Sequence, residues 1–264
     1  MIGIIMAEVF REFIYFKRYI FERISSITML IFIFLGFIYS SAHFVNGEVV
    51  IDKFSVSQKL IGFTIWFFAL DAVGHLSSAL REDLHIGILE QIALTPYSLI
   101  FNMLGRSVAR FIITFINGVV ILIIFNIIFE LNISVPLSAL PFLILTYLGL
   151  YGLGLFFAGL TLIFKRLGPI TTITRFLLLI FTGAVIPLHY FPETIQHSAA
   201  LLPMTEGLNL IRGLILGSAD LYNTISSKSM AYLIINTSVY FSIGVITFIF
   251  LEKRARRLGT LGSY

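Results

Sequence analysis

The chain has 264 residues, 58% of them hydrophobic and 12% charged, whereas soluble domains run about 45–50% apolar and about 25% charged. That balance excludes an ordinary soluble domain, and continuous apolar runs of roughly 20 residues exclude a β-barrel, whose strands alternate with period two. The absence of Cys removes any disulfide framework, thiolate metal site or cysteine nucleophile, and the formal net charge of +4 is informative through its placement along an integral membrane chain.

Residues 1–23 open the chain as an amphipathic segment. At helical spacing Met6, Val9, Phe10, Phe13, Phe16, Ile20 and Phe21 share one face, while Glu8, Arg11, Glu12, Arg18 and Glu22 share the other. A helix of this kind lies in the headgroup plane with its apolar face down. Its acidic residues, and its lack of a compact apolar core or small-residue cleavage site, argue against a targeting peptide. Apolar stretches then predict about six spans, near Ile24–Val45, Leu60–Leu80, Ser107–Leu131, Val135–Phe164, Ile170–Leu188 and Ala231–Leu251. The fourth is too long for one straight crossing, so it tilts or projects beyond the bilayer.

The second predicted span carries Asp71 and His75, i and i+4 on one face, with Asp71 near mid-span. A charged Asp there costs roughly 2.5–3.5 kcal/mol, so it must face protein or water. Two readings stand: a polar point on a substrate pathway or gate, joined by Trp66, or an intramembrane hydrogen bond to a Ser or Tyr of a neighbouring span. Arg175 is a further candidate partner for Asp71.

Between the second and third spans, residues 81–98 form an interruption that is charged in front and amphipathic behind. Ile86, Leu89, Ile92 and Ala93 are spaced to form an apolar ridge suited to a partner's groove. Glu90 sits beside the ridge, able to accept hydrogen bonds. Its intrachain alternatives are a solvated position or a partnership with Arg81 or Arg106. Gly87 reads as a helix-start or close-packing position, and Pro96 ends the helix before the next span. Further along, Gly154 and Ala158 form a small-xxx-small pair that predicts close packing within one subunit.

Around the outer loop His189–Met230, Pro187, Pro192 and Pro203 punctuate residues 187–217, and the apolar stretches Ala199–Leu202 and Leu208–Leu216 are too short to span. They fit short helices dipping into the outer leaflet. Most Lys and Arg fall on one side of the predicted spans, with only Lys53, Lys59, Arg212 and Lys228 on the other. Both termini are therefore expected in the cytoplasm, and an even span count agrees. The fold class is an all-α, multi-pass integral membrane protein forming a single domain, 1–264.

No Gly-x-x-x-x-Gly-Lys-Ser/Thr loop, His-Glu-x-x-His pattern or Gly-x-Ser-x-Gly elbow occurs, so the chain is not expected to be an enzyme or to hold a cofactor or metal of its own. Arg81-Glu82-Asp83 followed by Gly87-Ile88-Leu89-Glu90-Gln91-Ile92-Ala93-Leu94-Thr95-Pro96 and Gly105-Arg106 resembles a pattern of type-2 ATP-binding-cassette exporter permeases. Gly183-Ala184-Val185-Ile186-Pro187, Phe191-Pro192, Leu202-Pro203-Met204-Thr205 and Arg212-Gly213 are similar to that family's run around its fifth span and outer helices, and Glu252–Gly259 to its basic tail.

The resemblance implies a cell-membrane permease with an elbow helix at 1–23, a coupling helix at 81–98 and a dimer of permeases, expected to be two copies of this chain. It also implies separate ATPase subunits that carry ATP and Mg. Gly87, Leu89, Glu90, Ile92 and Pro96 become the coupling residues. Membrane lipid is an expected partner and nucleic acid is not. With few fixed charges in its spans, the chain is expected to export a hydrophobic or amphipathic substrate such as a drug, an antibiotic or a lipid-like molecule. The alternatives are export of a lipid-linked polysaccharide, ion-coupled secondary transport through Asp71 and His75, and a membrane anchor without transport.

Overall fold

The computed structural model of the protein describes residues 2–39, 43–45, 48–50, 52–93, 98–218 and 220–259. The chain opens with α1 (Ile2–Arg18) and α2 (Ile20–Tyr39), then an antiparallel pair, β1 (His43–Val45) and β2 (Glu48–Val50), in register His43 opposite Val50. It continues through α3 (Lys53–His85), α4 (Ile88–Ala93), α5 (Leu99–Ile128), α6 (Leu140–Phe164) and α7 (Gly168–Phe181). The rest is α8 (Glu193–Ala200), α9 (Pro203–Ile215), α10 (Leu221–Ile225) and α11 (Lys228–Leu258).

Among the described residues, four helices are long and apolar enough to cross a membrane: α3, α5, α6 with its preceding 3₁₀ turn, and α11. The first and fifth predicted spans come out shorter, as apolar stretches Ile27–Tyr39 and Gly168–Phe181. The first span stops at Tyr39 rather than Val45, before the two short strands, and the described residues are otherwise helical, as the all-α expectation has it. The fifth span, predicted to reach Leu188, stops at Phe181, and Gly183 follows at φ +77°, a left-handed turn that glycine adopts without a Cβ penalty.

Helix α3 is the hub. It packs against α5, α6, α7 and α9, and α11 lies against α6. Its first turn is capped by Asp52, whose carboxylate accepts from the backbone N–H of Phe54 at 3.2 Å and of Ser55 at 3.0 Å. Phe34 of α2 is wedged between Phe63 of α3 and Phe125 of α5, with ring centroids at 4.9 and 4.5 Å.

The small residues of α6 act within the chain. A Cβ at Gly154 would strike the Ala72 carbonyl of α3, and Gly152 and Gly244 let the backbones of α6 and α11 touch. On the far side of the bundle, Arg212 of α9 donates from Nη1 to the Gly183 carbonyl and from Nη2 to those of Gln58 and Ala184, each at 2.8 Å. This single side chain ties the start of α3 to the turn after α7.

Candidate coupling site

The segment between α3 and α5 is bounded by buried charge. Arg106 of α5 is 0% exposed; its Nε lies 3.1 Å from Glu8 Oε2 of α1, and its Nη2 lies 2.6 Å from Asp83 Oδ2 of α3. Arg11 of α1 closes the figure, 3.1 Å from Asp83 Oδ1 and 3.5 Å from Glu8 Oε2. Two guanidinium groups and two carboxylates thus alternate in a ring that joins α1, α3 and α5. Such a ring survives burial because every charge faces an opposite one; removing one member leaves the others uncompensated.

The ring requires the acidic face of α1 to point inward. Glu8 and Glu12 are buried against the bundle, while Met6, Phe10 and Phe21 are 68%, 69% and 86% exposed. The expected split into two faces is present. On its polar side Glu8 and Glu12 meet protein rather than water, because Arg106 and Arg110 of α5 supply the countercharge.

Beyond Asp83, α3 ends in a tight reversal. Ile86 N–H bonds the Glu82 carbonyl at 3.0 Å, and Gly87 takes φ +72°. A Cβ at Gly87 would meet open space, so glycine is needed for its conformation and serves as the stop of α3 rather than the start of the next helix. In α4, Leu89 is fully buried and Ile92 packs partly buried against the core, while Gln91, and Ile86 at the end of α3, are exposed. The expected outward ridge is corrected here. Leu89 and Ile92 anchor α4 to its own chain, where the core offers them an apolar surface. Arg106 is committed to Glu8 and Asp83. The side chain of Glu90, and Pro96 altogether, lie outside the described residues.

The segment rejoins the bundle at Ser98. Glu252 of α11 accepts from Ser98 Oγ at 3.1 Å and from Leu99 N–H at 3.4 Å, and Arg256 donates to it at 2.8 Å. A carboxylate at this point satisfies a free N–H and complements the positive end of α5. Glu252 and Arg256 of α11 thereby hold the start of α5, at the far end of this segment.

Farther into the bundle, Asp71 pairs with Arg110 of α5 at 2.5 Å, not with Arg175 or with a Ser or Tyr. His75 Nε2 lies 3.6 Å from Glu12 Oε1 of α1. Burial raises the Glu12 carboxyl, but the contact with His75 and the positive charges of Arg110 and Arg106 outweigh it and hold the group down at about 2. Trp66 is buried, and its Nε1–H donates to the Arg175 carbonyl of α7 at 2.8 Å.

The family model described as ABC-2 type transporter matches residues 3–216. The chain belongs to the ABC-2 type transporter family. No curated protein matches it. As an ABC-2 type transporter it is a multi-pass membrane subunit of an ABC transporter, of a family that normally pairs with an ABC ATPase subunit. The match takes in nearly all of α1, the segment between α3 and α5, and α9, so the residues of the charge ring all lie within this ABC-2 domain.

The sequence pattern singles out Asp71 and His75 but not their partners or the ring. A signal was present. Glu8 and Glu12, Arg106 and Arg110, and Asp71 and His75 are each i, i+4 pairs, so complementary charge sits at one spacing on three helices.

Proposed function

We propose that this chain is the transmembrane subunit of an exporter that moves a hydrophobic or amphipathic substrate outward, driven by a separate ATPase docking on the segment between α3 and α5. The observation that carries the reading is the four-membered ring of Arg11, Asp83, Arg106 and Glu8 beside that segment. A displacement of α4 reaches the end of α3 through Gly87 and the start of α5 through Ser98. The ring makes α1 move with both. Movement then passes along α3 to α7 through Trp66.

The docking face differs from the ridge that the sequence spacing predicts. Ile86 and Gln91 are turned outward and meet the ATPase, while Leu89 and Ile92 keep α4 attached to the permease. Glu90 and Pro96 complete the coupling set. ATP and Mg are handled on the partner, and both chain termini lie in the cytoplasm. The exposed apolar face of α1 rests on lipid, and a second copy of this chain completes the pathway. Asp71 and His75 have charged neighbours within the chain, which leaves few fixed charges to repel an apolar substrate; these residues and Trp66 serve the motion of the helices around the route.

The test is co-purification from native membranes in mild detergent, with ATP hydrolysis read on the complex. Ile86→Asp is expected to cut ATPase recovery and substrate-stimulated hydrolysis by about tenfold while the permease elutes as a folded species, since one docking residue of this kind is worth 1–2 kcal/mol. Equal recovery and hydrolysis in wild type and variant, or flux into vesicles without ATP, would sink the reading.

A further inference from the structure

At the same end of the bundle as the coupling segment, α3, α6 and α7 enclose a polar cavity of about 200 Å³, enough for several waters at about 30 Å³ each. Its lining includes Arg81, Lys165 and Arg175, the hydroxyls of Ser77 and Thr171, and no Asp or Glu. Three cations line one small space without a carboxylate among them.

The individual side chains are placed with some cost. Arg175 lays its guanidinium over Gly74, in the volume a Cβ there would fill, and its buried Nε has no hydrogen-bond partner. Asp71, the carboxylate whose charge acts on Arg175, is already bound by Arg110. Arg81 sets Nη1 beside Gly168, at the first turn of α7, where the helix presents its own free N–H groups and positive end. Lys165 is held at φ +58° by a tight turn in which Arg166 N–H bonds the Phe164 carbonyl at 2.6 Å, a conformation that non-glycine residues rarely adopt.

Ser77 supplies an independent observation. It is 7% exposed, it lines the cavity, and its Oγ has no partner. A buried hydroxyl without a partner is uncommon unless a ligand or water completes it. Positive side chains, a helix N-terminus and an unused donor converge on one space, an arrangement suited to an anion.

We propose that this cavity binds a phosphate-class anion, carried by the headgroup of an anionic lipid in the adjoining leaflet or by free phosphate. Arg175 and Arg81 grip the oxygens, Ser77 donates from the wall, and the α7 N-terminus faces the charge. The proposal rests on the cavity's own lining and stands whether or not the exporter reading does.

Native mass spectrometry of the purified chain, with phosphatidylglycerol or phosphatidylcholine added to the detergent, tests it. Wild type is expected to retain phosphatidylglycerol at least about tenfold better than R81Q/R175Q, as the loss of charge-assisted hydrogen bonds requires. R175K should keep most of the binding. R254Q/R257Q, which removes two exposed tail charges, should behave as wild type. Should R81Q/R175Q fail to elute as a folded species, R81Q alone, at the half-buried rim, carries the same comparison.

Addition of inorganic phosphate separates the two sources. Displacement of the lipid assigns the site to phosphate itself, and retention assigns it to the headgroup. Equal retention by wild type and the folded Arg variants overturns the proposal, as does equal retention of the two lipids.

Discussion

Helices α1 and α9 are both short elements set against the spans, and they dock by opposite means. Helix α1 turns Glu8 and Glu12 inward and leaves Met6 and Phe10 outside, whereas α9 buries Met204, Leu208 and Ile211 in the core. Each helix is amphipathic, and periodicity alone does not say which face is buried. The surface that receives the helix decides. Opposite α1 stand Arg106 and Arg110, cations that burial tolerates only when paired. Opposite α9, Thr146 lies against Gly207 and Pro203 against Gly149, a close-packed contact held by dispersion and shape.

This contrast can be broken most severely on the α1 side. Arg106→Met leaves the buried Asp83 and Glu8 short of a countercharge and is expected to cost about 3–5 kcal/mol, read as a large fall in thermal stability in detergent. Adding Glu8→Gln to that variant should recover part of the loss; strict additivity of the two changes would show that the ring does not act as a unit.

On the apolar side, Leu208→Ala removes packing without exposing a charge. A cost of about 2–4 kcal/mol is expected in the same thermal measurement, and no second substitution at an ionisable position should rescue it. The smallest effect belongs to the outward face of α1. Phe10→Ser should change stability in detergent by no more than about 0.5 kcal/mol, because Phe10 is 69% exposed; a drop comparable to that of Leu208→Ala would mean that this face is covered by protein.

Much was already written in the composition and periodicity. Apolar length alone requires helices across a bilayer, the i, i+3, i+4 pattern gives α1 two faces, and the interruption at residues 81–98 stands out because charge is expensive inside the membrane. Motif order carried the family, which the match over residues 3–216 supports. These features are local or depend on the solvent, so no neighbour has to be known to read them.

The partners of the charged residues are a different matter. Glu8 meets Arg106 across 98 positions, and Ser98 meets Glu252 across 154. Asp71 chose Arg110 over Arg175, and Leu89 turned into its own chain instead of outward. Those outcomes depend on which helix faces lie within a few ångströms of one another. Electrostatic energy falls off with distance, and its cost depends on burial. Neither quantity exists along the sequence; both arise only when α1, α3 and α5 have packed.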